Sequence, residues 1–407
     1  MHLKLDHDSR RCNGTLRITG SKSETNRLLL LQALFRGFEI ENVSNSDDSK
    51  VMQEALTTSS GRIDIHHAGT AMRFLTAYFS QLEGREVVLT GSTRMQERPI
   101  KILVEALRSL GASIQYEKEE GYPPLRIQGK KLKGGAVHLP ADVSSQYISA
   151  LLLLGPVLEQ GVELYLEGKI TSVPYIKMTL ALLNNFGVST AFQGQHIRVE
   201  HQSQPKKTLQ VVESDWSSAS YFFSIAALSE EATIHLESYK QESLQGDSVL
   251  RSIYKELGVN SRFEGHRLIL TKEKIKLPER IQWDLSKAPD IAQTIAVSCY
   301  GLGIGCDLKG LHTLKIKETD RLVALDTELT KLGATLSVSD HSLHLSPGAN
   351  FIKDCPIPTY NDHRMAMAFA PLALKIPLSI EDAEVVSKSY PSFWEDLNQL
   401  HFQIKEI

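Results

Sequence analysis

Five short stretches of the chain place Arg or Lys at or just inside an expected helix start, beside small or hydroxyl residues. They are Gly20-Ser21-Lys22-Ser23-Glu24-Thr25-Asn26-Arg27, His67-Ala68-Gly69-Thr70-Ala71-Met72-Arg73, Arg94-Met95-Gln96-Glu97-Arg98-Pro99, Lys317-Glu318-Thr319-Asp320-Arg321 and Tyr360-Asn361-Asp362-His363-Arg364-Met365. A helix start presents free N–H groups and a positive dipole end, which suits an anion and opposes a cation. One such case is ordinary. Five together suggest that the balancing negative charge belongs to a ligand. The chemistry this implies is binding of anionic substrates in a cationic pocket, with carboxylates such as Glu318 placed to move protons.

Each stretch also has a plainer reading. Ser23 and Arg27 share a helix face, as do Lys22 and Asn26, but a serine cap with solvated charges accounts for that too. Gly69 lets a ligand approach the backbone closely. The neighbouring His66-His67 pair invites a metal, yet adjacent residues do not share a face and no H-E-x-x-H motif exists. Arg94 and Arg98, four apart, would repel on a helix unless an anion sat beside them; separate solvation near Glu97 serves equally. Lys317 and Arg321 at i, i+4, with Glu318 and Arg321 at i, i+3, make either an internal ion-pair network or a proton-moving carboxylate among cations. Asp362 reads as an N-cap, which leaves Arg364 unexplained. Weaker candidates are Ser144, Ser145 and Gln146 at the start of an apolar helix, Ser172 before Pro174, and Asp290 after Pro289. Lys388, in a polar stretch before Pro391, reads by default as a surface lysine.

The elements that must position these residues repeat. A helix from Ile102 ends at Gly111 and is followed by strand Ala112 to Tyr116, a turn, and strand Leu125 to Ile127. The same order recurs from Ile176 (Gly187, strands Val188 to Ala191 and His196 to Val199), from Leu250 (Gly258, second strand Leu268 to Leu270) and from Leu322 (Gly333, strands Ala334 to Val338 and Leu343 to Leu345). The glycines recur every 70 to 75 residues, roughly, and suit a left-handed helix C-cap. Apolar helices fall between, at Glu24 to Leu34, Ala71 to Phe79, Ser144 to Leu154, Ser217 to Leu228, Ala288 to Tyr300 and His363 to Leu372. The expected class is α/β, built from repeated βαβαββ units with mixed sheets. Hinge candidates lie near Gly20 and at Val212 to Ser214.

Composition removes other classes. The chain has 407 residues, 45 Lys and Arg against 48 Asp and Glu, and a formal net charge of -3, so it carries no bulk electrostatic footprint for nucleic acid or an acidic membrane. Four scattered cysteines (Cys12, Cys299, Cys306, Cys355) with no C-x-x-C pair argue against a disulfide framework or structural zinc. The longest apolar run, near Ile148 to Val157, contains Gly155-Pro156 and falls well short of the ~20 residues of a membrane span. No signal-peptide pattern opens the chain at Met1. A cytoplasmic protein is expected.

Taken together, Gly20 to Arg27, Ala68 to Arg73, Arg94 to Pro99, Lys317 to Arg321 and Asn361 to Met367 resemble the enolpyruvyl transferase family, on the branch that acts on shikimate 3-phosphate. Tyr122-Pro123-Pro124-Leu125-Arg126, Ser217-Ser218-Ala219-Ser220-Tyr221 and Gln245-Gly246-Asp247 also fit, and the match is colinear from Gly20 to Lys388. The resemblance implies two lobes of three βαβαββ units, one lobe of residues 1–20 with 214–407 and one of 21–213, with the active site in the cleft between them. It implies a transferase of the shikimate pathway, serving chorismate and aromatic amino acid biosynthesis. That enzyme joins phosphoenolpyruvate to the 5-hydroxyl of shikimate 3-phosphate and releases phosphate. No metal and no organic cofactor are implied, nor a nucleic-acid or membrane partner, and a monomer is expected.

By the same resemblance Lys22, Ser23, Arg27, Ser144, Ser145, Gln146, Ser172, Asp290 and Lys317 hold shikimate 3-phosphate. Lys22, Gly69, Arg98, Gln146, Arg321, Arg364 and Lys388 hold phosphoenolpyruvate. Asp290 accepts the hydroxyl proton, and Glu318 and Lys22 carry protons at the enol carbon and leaving phosphate. The sister branch acting on UDP-N-acetylglucosamine carries a reactive Cys that the stretch Gly91 to Pro99 lacks. Four departures stand out: His67 where Asn is usual, Phe74 where Pro is usual, Thr313 where Asn is common, and a span from Asp48 to His67 some two dozen residues short. One unit is therefore expected to lack a strand pair or a helix.

Overall fold

The computed structural model describes residues 1–407 other than 36, 59, 141–143, 169, 171–172, 205 and 207–208. The chain forms two compact units, Gly20–Val212 and Met1–Thr19 with Glu213–Ile407. Among the described residues no helix is long and apolar enough to cross a membrane.

The repeat is one sheet topology used five times in full. Strand Gly61–Asp64 lies parallel to Glu86–Thr90, with Ile63 opposite Leu89. Glu86–Thr90 runs antiparallel to Leu125–Gln128, which pairs antiparallel with Ser113–Tyr116. The first two strands are joined through helix Gly69–Ser80, and the second and third through helices Thr93–Gln96 and Lys101–Ser109. The helix-to-hairpin step closes on glycine: φ is 101° at Gly111, 83° at Gly187, 79° at Gly258 and 99° at Gly333. After Gly111, Gly187 and Gly333 the next residue is spent on the helix end, whereas Val259 enters its strand directly. Val188 N–H reaches back to the Leu183 carbonyl (3.1 Å), and its side chain is buried. The strand expected from Val188 to Ala191 therefore starts later, at Thr190–Gln193.

Two sheets are completed from far along the chain. Strand Arg11–Leu16 is the first strand of a repeat that resumes only at helix Trp216–Leu228; it pairs in parallel with Glu231–Leu236. Strand Leu3–Asp6 fills the last sheet, between Leu378–Ile380 and Gln403–Glu406, and Ile407 N–H bonds the His2 carbonyl at 3.0 Å.

The sixth repeat is cut short. Strand Glu39–Glu41 and helix Asp47–Thr57 lead straight into Gly61–Asp64. Among the described residues this sheet has two strands, Glu39–Glu41 and Leu209–Val211 in parallel. The shortage thus removes the closing strand pair and spares the helix. It leaves Leu209 and Val211 about half exposed, at 45% and 47%.

In each unit the first helix of every repeat faces inward. Lys22–Leu34, Gly69–Ser80 and Ser145–Leu154 pack together in one unit, and Ala292–Leu302 packs on both Trp216–Leu228 and His363–Phe369 in the other. Burial from every direction makes Trp216–Leu228 apolar nearly all round, buried at every position but Ser217, whereas Lys22–Leu34 buries Glu24, Thr25, Asn26 and Arg27 in its first half. Because the repeats are equivalent, their inner helix starts gather at the same end of a unit.

Candidate functional site

In unit Gly20–Val212 the inner helix starts carry Lys22, Ser23, Arg27, Gly69, Ser144, Ser145 and Gln146. Ser21 caps the first helix by accepting from Glu24 N–H. Lys22 Nζ lies 3.1 Å from Asp48 Oδ2, and both side chains are largely shielded. Ser144 caps the third helix by accepting from Gln146 N–H, and the Gln146 amide donates to Thr70 Oγ1 at 3.1 Å. Arg27 is buried and bonds neutral atoms: Nε donates to Thr179 Oγ1 (2.8 Å), NH1 to the Ser23 carbonyl (2.8 Å) and NH2 to Ser149 Oγ (3.0 Å). Burial pulls its guanidinium down to about 10, with Tyr175 and Glu24 opposing, so it stays charged at neutral pH.

Gly69 is needed for space rather than for conformation. A Cβ there would come within 2.7 Å of Arg98 NH1, so the Arg98 guanidinium lies against the bare backbone of the helix start. Of the two readings of Arg94 and Arg98, the geometry matches separate solvation near Glu97: Arg94 sits in helix Thr93–Gln96, exposed, and pairs with Glu97 at 3.1 Å. A residue not singled out for the site, Arg73, lies beneath. It is buried, donates to the Gly69 carbonyl (3.3 Å) and the Pro99 carbonyl (3.1 Å), and is pulled down to about 10 by burial and then by Arg98. The signal was available, since Arg73 is the one charge in the helix Gly69–Ser80. Ser172 lies outside the described residues.

In the other unit Arg321 is the hub. Its side chain is 2% exposed, and it reaches three carboxylates: Asp362 Oδ2 at 2.6 Å, Asp290 Oδ1 at 2.9 Å and Glu318 Oε2 at 2.9 Å. Lys317 Nζ stands 3.3 Å from Asp290 Oδ1, Arg364 NH2 3.5 Å from Asp290 Oδ2, and Lys388 Nζ 2.9 Å from Glu318 Oε1. Lys388 is thus a shielded member of the cluster, not a surface lysine. Lys317 and Arg321 do not share a helix face as expected. Asp320 caps helix Arg321–Lys331, so residues 317–320 precede it as a loop, and the two cations meet at Asp290 instead. Asp290 itself occupies a one-turn 3-10 segment, Pro289–Ile291, and caps nothing. Burial alone would raise its pKa, but Lys317, Arg364 and Arg321 outweigh burial and hold it well below the usual carboxylate range. Asp362 does cap helix His363–Phe369 while also bonding Arg321. Beside Arg364, Ser217 donates to Asp247, whose carboxyl is pushed up to about 6 by burial and then by Asp290.

Part of the negative charge beside these cations comes from the protein itself. Asp48, Asp290, Glu318 and Asp362 already pair with Lys22, Lys317, Arg321, Arg364 and Lys388. Among the described residues no group of three or more His, Cys, Asp or Glu side chains is placed to hold a metal ion.

This arrangement of repeated units is the fold of a solved enzyme: an EPSP synthase from Acinetobacter baumannii superposes with a TM-score of 0.80 over the full length of both chains, at 22% identity. Sequence carries this to the family. Residues 55–397 match the model of EPSP synthase (3-phosphoshikimate 1-carboxyvinyltransferase). The 3-phosphoshikimate 1-carboxyvinyltransferase of Bacteroides fragilis is 48% identical over 397 residues, covering 96% of each chain. That of Haemophilus influenzae is 35% identical over 421 aligned positions, covering 95% of this chain and 96% of its own. The chain belongs to the EPSP synthase family.

Proposed function

We propose that the chain transfers the enolpyruvyl group of phosphoenolpyruvate to the 5-hydroxyl of shikimate 3-phosphate, releasing phosphate, and that the two side-chain clusters act on this one substrate pair in the cleft the resemblance implies. Lys22, Ser23, Arg27, Ser144, Ser145, Gln146, Ser172, Asp290 and Lys317 are assigned to shikimate 3-phosphate. Lys22, Gly69, Arg98, Gln146, Arg321, Arg364 and Lys388 are assigned to phosphoenolpyruvate. The protein acts as a cytoplasmic monomer without nucleic-acid or membrane partners.

The observation that carries the mechanism is Asp290 held by Lys317, Arg321 and Arg364. A carboxylate so clamped is a weak base. Substrate phosphate and carboxylate groups compete for Lys317 and Arg364, and as they draw those cations off, Asp290 regains basicity toward the 5-hydroxyl. Base strength thus appears only when substrate is bound. Glu318, which bridges Arg321 and Lys388, and Lys22 are assigned to protonation of the enol carbon and the departing phosphate. The crowded anionic intermediate is stabilised by the same preset cations.

The test is a phosphate-release assay on the purified protein. Release should require both phosphoenolpyruvate and shikimate 3-phosphate. Release with UDP-N-acetylglucosamine in place of shikimate 3-phosphate would overturn the substrate assignment.

A further inference from the structure

Two loops of unit Gly20–Val212 are zipped together beside Gly69. Ser92 N–H bonds the His66 carbonyl at 3.0 Å, and His67 Nδ1 lies 3.1 Å from Ser92 Oγ. Ser92 also caps helix Thr93–Gln96 by accepting from Met95 N–H. Two residues beyond His67, the Arg98 guanidinium covers Gly69. An exposed imidazole is thus anchored by one nitrogen on the loop pair that presents Gly69 and Arg98.

We propose that His67 is a specificity residue that takes up a proton when a phosphate-bearing anion binds beside Gly69 and Arg98, so that this anion binds more tightly as pH falls through the imidazole range. The inference rests on the assignment of Gly69 and Arg98 to phosphoenolpyruvate.

The anchoring suits a switch that does not move. The Ser92 hydroxyl can donate to Nδ1 of the neutral ring, or accept from Nδ1–H of the imidazolium, so either protonation state keeps the ring in place. The surrounding charges set the direction. On its own loop stand Asp64 and His66, paired with each other at 3.8 Å. From the facing segment come Arg94, paired with Glu97, and Arg98. The inner helix adds Arg73 below the Gly69 carbonyl, and the neighbouring hairpin adds Lys118, bonded to Gln96 Oε1. Arg98 against Gly69 and the positive helix start thus make this loop pair cationic before an anion arrives. A bound phosphate reverses that balance. The imidazole pKa is therefore higher in the complex than in the free protein, and by linkage the gain in affinity is present at low pH and fades as pH rises through the value in the complex.

Two measurements decide it. The first is an NMR titration of the His67 ring in the parent protein, with and without inorganic phosphate, its signal assigned from its loss in His67→Asn. Phosphate should raise the pKa of that ring. The second compares the KM for phosphoenolpyruvate of the parent with that of His67→Asn at pH 6 and pH 8. Phosphoenolpyruvate itself titrates in this range, but identically for both proteins, so only the ratio is read. The parent should hold an advantage of about three- to tenfold at pH 6, the effect of one charge several ångströms away in a wet site, and lose it at pH 8. An unmoved ring pKa with parallel KM profiles overturns the proposal. If the parent fails to release phosphate at any pH, the functional reading falls instead, and the ring titration alone decides the role of His67.

Discussion

The two clusters handle buried charge in opposite ways. In unit Met1–Thr19 with Glu213–Ile407, Arg321 grips Asp290, Glu318 and Asp362, and Lys317, Arg364 and Lys388 share those carboxylates. In unit Gly20–Val212, Arg27 and Arg73 are just as deeply buried, yet their hydrogen bonds end on hydroxyls, carbonyls and the Met95 sulfur. The first arrangement holds Asp290 well below the usual carboxylate range, its neighbouring cations outweighing burial. The second stores positive charge that an arriving anion can use. The two units thus hold buried cations differently: Arg321 is balanced by carboxylates of the protein, whereas Arg27 and Arg73 bond hydroxyls, carbonyls and a sulfur.

That contrast can be broken at several points. Asp290→Asn should lower turnover by about a thousandfold, within the range for a lost general base, while the KM for phosphoenolpyruvate shifts far less; steady-state kinetics checks this, and unchanged turnover would remove Asp290 from the chemistry. Arg321→Met should cost about 3–5 kcal/mol of stability, because three carboxylates lose their common partner; a denaturant titration that finds the variant as stable as the parent would break the contrast. Gly69→Ala should raise the KM for phosphoenolpyruvate about tenfold with little change in turnover, since the new methyl displaces Arg98; equal KM values would detach Arg98 from that substrate. Arg27→Met sharpens the comparison by a near-absence of effect. Ser149 and Thr179 hydroxyls already bond each other at 3.0 Å, so removing a desolvated cation between them should change stability by less than about 1 kcal/mol. Weakened binding of shikimate 3-phosphate, read by calorimetry, should be its only large consequence.

Local features carried most of the legible structure. Gly111, Gly187, Gly258 and Gly333 announced the helix-to-hairpin step because a left-handed C-cap is a one-residue requirement. Most inner helices showed as apolar stretches, and three of the cationic motifs, at Lys22, Gly69 and Arg364, marked such starts. Partnerships across the chain were hidden. Nothing local to Lys22 names Asp48, and nothing near Arg321 names Asp362, 41 residues on. Asp362 read as a cap and is one, but capping leaves room on a carboxylate for a second partner. Loop conformation was equally hidden: the spacing of Lys317 and Arg321 suggested one helix face, and the Asp320 cap decides otherwise. The shortened repeat was visible as missing length, though only the sheet pairing shows that the loss fell on the hairpin.

The strand Leu3–Asp6, seated between Leu378–Ile380 and Gln403–Glu406, imposes an order on biosynthesis. Residues 20–212 leave the ribosome as an uninterrupted stretch holding all their own sheet partners, whereas the first strand to be translated must wait for the last. Segments this distant in sequence close slowly, so the opening residues spend nearly the whole of translation as a tether. Since the two chain ends meet through His2 and Ile407, a polypeptide restarted at residue 213 and joined from 407 to 1 would deliver that unit in one continuous pass.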